Sequence, residues 1–215
     1  RLKKSLFGNG GAEGIEGALR LAKRFNGKNE MIALTNSFHG RTYATLSLTG
    51  NCGRKRGGGP YMPGVAFSPA PNCYRCPFKI YDSEHCDMAC ADYLDEVIRC
   101  HTADNVSLFI AEPVMGEGGI IAPPKNYFKR VKEILDVHKI LFVADEVQSG
   151  FGRTGKMFAI EHYDVEPDIM VMAKGIANGF PLSCFIARDE IADSFQPGDH
   201  LSTFGGNPVS CAASL

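Results

Sequence analysis

Three short apolar runs in the chain each end at an ionisable residue: Glu112, Asp145 and Lys174. Runs of this kind are typical of strands buried on both faces of a parallel sheet. Ligands of open α/β sheets bind beyond the carboxyl ends of the strands. Two carboxylates and an amine gathered there could hold a polar cofactor, whereas one such strand end alone would equally well form a structural ion pair. We therefore predict a ligand site around these three residues.

A glycine-rich turn precedes the first predicted helix, where residues 7–13 read Phe-Gly-Asn-Gly-Gly-Ala-Glu. Glycines let backbone N–H groups approach an anion, and the positive end of a helix dipole favours a phosphate. A plain turn before a helix would have the same sequence, so both interpretations stay open on this motif alone.

The elements that must position these residues are predicted from hydrophobic periodicity. Helix patterns cover Ala12–Phe25, Ala89–His101, Tyr127–His138 and Asp189–Phe195. Apolar strand patterns cover Met31–Leu34, Val106–Ala111, Ile140–Ala144, Ile169–Ala173 and Ser183–Ala187. The alternation predicts an α/β fold with a mostly parallel central sheet and helices on both faces. Residues Gly50–Ser83 are rich in Gly and Pro and are predicted to be an extended loop.

Length and composition exclude several classes of protein. The chain has 215 residues, 44 % of them hydrophobic and 22 % charged, which excludes a disordered chain, a collagen-like repeat and a disulfide miniprotein. No apolar run reaches the 18 residues of a membrane span. The net charge of −1 argues against a dedicated nucleic-acid binder, which would need a basic surplus.

Four sequence blocks together resemble the class III (ornithine/4-aminobutyrate type) pyridoxal-phosphate-dependent aminotransferases. The blocks are Phe38-His39-Gly40-Arg41-Thr42, residues 145–155 (DEVQSGFGRTG), Pro167-Asp168 with Ala173-Lys174-Gly175, and residues 202–208 (STFGGNP). They follow the family's order and spacing. The resemblance implies fold type I and pyridoxal 5'-phosphate as cofactor. Residues 1–215 would form most of the large, cofactor-binding domain, with an N-terminal segment and a C-terminal small domain outside them.

The resemblance also implies roles for residues around the cofactor ring. Lys174 matches the Schiff-base lysine, whose amine acts as a nucleophile and proton carrier. Asp145 matches the partner of the pyridine nitrogen, and Gln148 matches the partner of the phenolic oxygen. Phe38 and Val147 match the pair of residues that enclose the ring.

Further matched residues lie around the ring and the phosphate. Gly11 and Ala12 match the phosphate cradle, although Gly10 stands where the family usually has serine. Glu112 matches a glutamate of the hydrogen-bond network near the cofactor, and His39 either stacks near the cofactor or supports its own loop. Thr203 matches a threonine that reaches the phosphate of the other subunit, which implies a homodimer with shared sites.

Two residues are implied in substrate binding. Arg41 matches an arginine that binds a substrate carboxylate in some members, a role that suits its planar fork. Glu117 matches a glutamate that pairs with an arginine of the C-terminal domain and switches between amino donors.

The predicted activity is transamination between an amino acid or ω-amino acid, 4-aminobutyrate-like, and a 2-oxo acid. An amino-acid racemase, a decarboxylase or a phospho-lyase on the same scaffold is the alternative, because the cofactor sets reactivity and the remaining segments choose the outcome. The non-enzyme alternative is an inactive cofactor-binding fragment. No catalytic metal, nucleic acid or membrane partner is expected, and the predicted location is cytoplasmic.

Four of the eight cysteines have a spacing that permits a zinc site. Cys73 and Cys76 form a C-x2-C pair, and Cys86 and Cys90 form a C-x3-C pair. Such pairs can bind zinc tetrahedrally or form disulfides in an oxidising compartment. Reduced thiols are the default expectation, and zinc stays open as an alternative.

Overall fold

One seven-stranded mixed sheet organises the chain. The computed structural model describes residues 2–80 and 86–215. In chain order the strands are β1 (Lys4–Gly8), β2 (Glu30–Leu34), β3 (Val65–Ser68), β4 (Val106–Ala111), β5 (Leu141–Asp145), β6 (Ile169–Met172) and β7 (Ser183–Ala187). Their spatial order is β1-β7-β6-β5-β4-β2-β3. Strands β2 to β6 run parallel, and β7 is antiparallel to β1 and β6. The carboxyl ends of β1 to β6 therefore share one edge.

The helices connect these strands across both faces of the sheet. They are α1 (Gly11–Asn26), α2 (Tyr43–Leu48), α3 (Cys52–Lys55), α4 (Ala89–His101), α5 (Tyr127–His138), α6 (Asp189–Ala192) and α7 (Pro208–Ser214). Three short 3-10 turns cover Cys73–Arg75, Ala159–Tyr163 and Lys174–Ala177. Within the two described ranges, none of the helices has the length and apolar content needed to cross a membrane.

The side chains of β5 show how the two cores are divided. Phe142 and Ala144 pack into the core that contains α4 and α5. Leu141 and Val143 point the other way, into the core that contains α1. This alternation is the two-residue period of a strand covered on both faces. The predicted mostly parallel sheet with helices on both faces is confirmed.

Several sequence predictions need correction. Residues 50–80 are not one extended loop, because they contain α3, β3 and a 3-10 turn, and residues 81–83 lie outside the described residues. Strand β1 was not predicted, since it is a mostly exposed edge strand without an apolar run. The segment Ser183–Ala187 is a strand as predicted but runs antiparallel, and the helix beginning at Asp189 ends at Ala192 rather than Phe195.

A glycine in the interior of α1 packs directly against a side chain of the sheet. A methyl group added at Gly17 would lie 2.3 Å from a ring carbon of Phe185 on β7. Glycine in a helix interior costs about 1 kcal/mol relative to alanine. Here the glycine allows α1 to pack against Phe185. The N-terminal turn of the helix lies at the carboxyl edge of the sheet.

Candidate active site

A cavity of about 600 Å³ opens at the carboxyl edge of the sheet. Its volume falls in the range of small-molecule sites, about 300–1,000 Å³. Ten of the twelve predicted site residues line it: Gly11, Ala12, Phe38, His39, Arg41, Glu112, Asp145, Val147, Gln148 and Lys174. The structure thus brings together residues that are far apart in the sequence.

The three ionisable residues reach this cavity from adjacent strands. Asp145 is the last residue of β5, Glu112 follows β4 directly, and Lys174 begins the 3-10 turn after β6. Lys174 has a left-handed backbone with φ of 45°. A non-glycine residue in this region carries strain, and such residues cluster at functional sites. The predicted convergence at one sheet edge is what the strand order produces.

Asp145 is held in place by two hydrogen bonds. His39 Nδ1 lies 2.7 Å from Asp145 Oδ2, and the backbone N–H of Val147 donates to Oδ1 over 3.1 Å. An ionised carboxylate only accepts hydrogen bonds, so Nδ1 of His39 must be the donor. His39 Nε2 is buried and has no hydrogen-bond partner among the described residues. The two hydrogen bonds therefore restrain the orientation of the carboxylate, and both Asp145 and His39 line the cavity.

Glu112 supports the loop that carries Phe38. Its Oε1 accepts a hydrogen bond from the backbone N–H of Phe38 over 2.9 Å, and its Oε2 accepts one from Gly116 over 3.1 Å. Burial raises the pKa of Glu112, and the nearby charge of Asp145 raises it further, while His39 opposes the shift. The side chain acts as a brace for the cavity wall.

The N-terminus of α1 forms another wall of the cavity. No side chain caps it, and the first backbone bond within the helix joins the N–H of Gly14 to the carbonyl of Gly10. The preceding N–H groups of Gly11, Ala12 and Glu13 have no partner inside the helix, which is the usual arrangement of an anion site. A methyl group added at Gly11 would lie 2.8 Å from Cγ1 of Val147. Only a residue without a side chain fits this approach.

Two predicted residues lie outside the cavity lining. Glu117 is paired with Arg54, whose Nε donates to Glu117 Oε2 over 3.2 Å. Thr203 is exposed in the turn before α7. Their predicted roles involve other parts of the protein or another subunit, and both stay predictions.

The four paired cysteines line a second, small apolar cavity between the 3-10 turn at Cys73 and the start of α4. All eight cysteines are free thiols. Burial raises the pKa of Cys90 to about 12, and the other three thiols of the group contribute. Across the described ranges, no group of three or more His, Cys, Asp and Glu side chains is arranged to hold a metal ion. The zinc alternative therefore has no formed ligand set in these ranges.

Nine residues of the cavity lining were not predicted as site residues: Asn9, Gly10, Ile15, Gly40, Thr42, Ala173, Gly179, Phe180 and Leu182. Asn9 lies inside the glycine-rich turn, whose sequence predicts a role for backbone N–H groups and none for the Asn9 side chain. Phe180 and Leu182 come from the loop between β6 and β7, and no motif there signals a role. Phe180 is 51 % exposed in the structure, but this exposure cannot be read from the sequence.

The family assignment follows from comparison with known proteins. The aminotransferase class-III family model matches residues 2–215. The chain belongs to this family. Among solved structures, an amine transaminase from an uncultivated Pseudomonas species in its PLP-bound form superimposes with a TM-score of 0.93 and 35 % identity, covering 100 % of this chain and 51 % of that one.

Two curated relatives show the range of the class-III aminotransferase family. The leucine/methionine racemase of Thermococcus litoralis is 42 % identical over 99 % of this chain and 48 % of its own length. The probable 4-aminobutyrate aminotransferase of Bacillus subtilis is 41 % identical over 99 % of this chain and 49 % of its own length. The chain thus spans about half the length of the curated relatives it matches.

Proposed function

We propose that the cavity binds pyridoxal 5'-phosphate and that the protein transfers amino groups. One observation carries the proposal: Lys174 and Asp145, at the ends of neighbouring strands, line the same cavity as the uncapped N-terminus of α1. An amine, a carboxylate and a phosphate cradle are the three groups that this cofactor needs. Gly11 lies too close to Val147 for a side chain, so no side chain at residue 11 covers the N-terminus of α1.

Each residue then has a defined task. Gly11 and Ala12 bind the phosphate through backbone N–H groups. Asp145 holds a proton on the pyridine nitrogen, and His39 keeps that carboxylate oriented. Lys174 holds the cofactor through its amine and moves a proton at the substrate α carbon. When bound, the cofactor supplies an electron sink for the carbanion at that carbon.

Three other residues complete the proposed ring site. Phe38 and Val147 enclose the ring, and Gln148 donates to its phenolic oxygen. Gln148 packs closely against Gly116, because a methyl group added at Gly116 would lie 2.0 Å from Oε1 of Gln148. Glu112 keeps Phe38 in position through its backbone.

The proposed substrates are an amino acid or a 4-aminobutyrate-like ω-amino acid as donor and a 2-oxo acid as acceptor. Arg41 is exposed at the cavity mouth and offers a guanidinium for a substrate carboxylate. Glu117 is the proposed switch between donor types. Its present partner Arg54 would have to release it for another arginine.

The proposed assembly is a homodimer in which Thr203 of one subunit reaches the phosphate of the other. The exposed position of Thr203 beside Phe204, which is 72 % exposed, supports a contact at this surface. The eight free cysteines favour a reducing compartment, and we propose the cytoplasm.

Racemisation of an amino acid is the second candidate, favoured by the name of the Thermococcus relative. The two reactions share every residue described above, and they differ in whether the amino group leaves with the cofactor. Decarboxylation and phosphate elimination belong to the same group of alternatives, without a specific observation in their favour.

The deciding experiment uses the full-length protein. Pyridoxal phosphate is added, the visible absorption band of the lysine-bound cofactor is recorded, and borohydride then traps the adduct for peptide mapping. We expect the label on Lys174 and its loss in Lys174→Ala. A label elsewhere, or no band, rejects the proposal. A panel of L-amino acids with 2-oxoglutarate, followed by chiral chromatography, then separates transamination from racemisation.

A further inference from the structure

Glu13, in the first turn of α1, makes contacts that the proposed mechanism does not use. Its Oε2 accepts hydrogen bonds from the backbone N–H of Asn9 over 2.7 Å and from Asn9 Nδ2 over 3.1 Å. Its Oε1 accepts one from Ser202 Oγ over 2.8 Å. One carboxylate thus joins the turn before α1 to a turn whose serine lies 189 residues further along the sequence.

Ser202 is itself fully engaged. Its hydroxyl donates to Glu13 and accepts from Asn9 Nδ2 over 3.1 Å and from the backbone N–H of Gly205 over 3.2 Å. A hydroxyl has one donor and two acceptor sites. Glu13 therefore receives hydrogen bonds from three donors: the backbone N–H of Asn9, Asn9 Nδ2 and the hydroxyl of Ser202. Only a side chain whose polar atoms all accept hydrogen bonds matches these three neighbours.

The geometry points to Glu13 as a positioning residue that locks two turns together. The first turn, residues 9–11, leads into the phosphate cradle. The second, residues 202–205, carries Thr203. This inference rests on the proposed function, because it assigns a consequence for phosphate binding. Glu13 does not line the cavity, so it acts through Asn9 and Ser202 and not by touching the cofactor.

The negative charge is placed where the fold tolerates it. Anionic side chains are favoured in the first turn of a helix because the backbone N–H groups there are positive. Burial alone would raise the pKa of Glu13, but hydrogen bonds from Asn9 and Ser202 outweigh it and leave the pKa below its usual value. The carboxylate is therefore ionised at neutral pH, where a phosphate would bind nearby. Its negative charge is balanced by the hydrogen bonds that it accepts from the two turns.

A glutamine at this position provides a sharp test because it preserves the shape of the side chain. Its amide nitrogen would face either the two donors of Asn9 or the hydroxyl of Ser202, which already accepts two hydrogen bonds. Either orientation leaves donors facing each other. We expect Glu13→Gln to loosen both turns without changing Lys174 or Asp145.

The experiment measures cofactor binding by the full-length apoprotein. For Glu13→Gln we expect the dissociation constant of pyridoxal phosphate to rise about tenfold and the ³¹P resonance of the bound phosphate to shift, with the visible band maximum unchanged. Glu133→Gln, an exposed substitution on α5, is the matched control and should leave all three values as in the wild type. An unchanged dissociation constant and ³¹P shift in a folded Glu13→Gln protein overturns the inference.

A second variant covers the case in which Glu13→Gln fails to fold. Ser202→Ala removes one arm of the link, and we expect it to weaken pyridoxal phosphate binding about threefold and to shift the ³¹P resonance. The effect of Ser202→Ala should shrink when Glu13 is already glutamine. Additive effects, or none from Ser202→Ala, contradict a shared link. If the wild type itself does not bind the cofactor, the proposed function fails instead, and the two failures are distinct.

Discussion

His39 donates a 2.7 Å hydrogen bond from Nδ1 to Oδ2 of Asp145, and both side chains are buried. The pair places a hydrogen-bond donor beside the carboxylate that we assign to the pyridine nitrogen. The hydrogen bonds from His39 and Val147 restrain the carboxylate of Asp145, which lines the cavity. We therefore propose that His39, predicted from the sequence to stack near the cofactor or to support its loop, supports Asp145 instead.

Removal of this support is expected to slow the reaction. His39→Leu leaves Asp145 with one hydrogen bond fewer, and a hydrogen bond to a charged group contributes about 1.5–3 kcal/mol. We predict a decrease in kcat of about 10- to 100-fold, with substrate KM changed less. Steady-state kinetics measure it, and His162→Leu, an exposed histidine, is the control. A kcat within twofold of the wild type would refute this role.

The fit between Gly11 and Val147 predicts a steric effect on cofactor binding. A methyl at residue 11 must displace Val147, a β-branched side chain with little freedom. We expect Gly11→Ala to weaken pyridoxal phosphate binding about tenfold, by absorbance titration. Gly10→Ala is matched to it, because an added methyl there has no atom within 4 Å among the described residues. Equal effects at the two glycines would contradict the steric explanation.

Gly17 is predicted to be required for packing rather than for helix formation. Alanine should favour the helix by about 1 kcal/mol, but its methyl overlaps Phe185. Overpacking of a core costs about 1–3 kcal/mol, so Gly17→Ala should lower the free energy of unfolding in urea. In a Phe185→Leu background the same change should cost less. A stabilised Gly17→Ala protein would show that α1 can move away from the sheet.

The lowered pKa of Glu13 predicts a pH dependence of stability. A carboxyl whose pKa is lower in the folded state stabilises the protein above its unfolded pKa of about 4.3. This contribution is lost as pH falls through the folded value. The difference in unfolding free energy between wild type and Glu13→Gln should therefore be constant above about pH 5 and diminish towards pH 3. Urea titrations across this range measure it, and a flat difference would exclude the linkage.

Cys90 is predicted to be unreactive in the folded protein. With a pKa of about 12, about one molecule in 10⁴ carries the thiolate at pH 8, and the thiolate is the nucleophile. Iodoacetamide should therefore modify the exposed Cys52 much faster than Cys90, as followed by peptide mass spectrometry. Unfolding in urea should remove the difference. Rapid alkylation of Cys90 in the folded state would mean that its cavity opens.

The local sequence was sufficient to predict strands and site residues where a short apolar run ends at an ionisable residue. The apolar runs before Asp145 and Glu112 predicted two strands and the cavity edge, because runs this short fit a strand better than a helix. The element ranges of α4 and α5 also agree with their predicted bounds. These helices can be predicted locally, because their apolar residues recur with the helical period and define the buried face.

Other features depend on contacts between distant parts of the chain. The sequence of residues 183–187 predicts a strand but not its antiparallel direction, which is fixed by pairing with β1 and β6. The link between Glu13 and Ser202 also arises only when the chain has folded. The sequence around Glu13 does not indicate Ser202 as a hydrogen-bond partner, and the sequence around Ser202 does not indicate Glu13.

The pairing of β1 with β7 has a consequence for how the protein is made. The turn that we propose as the phosphate cradle directly follows β1, but the sheet partner of β1 is Ser183–Ala187, which is synthesised much later. Contacts between such distant segments form slowly. We therefore expect the proposed cradle to stay incomplete in the nascent chain until β7 has emerged.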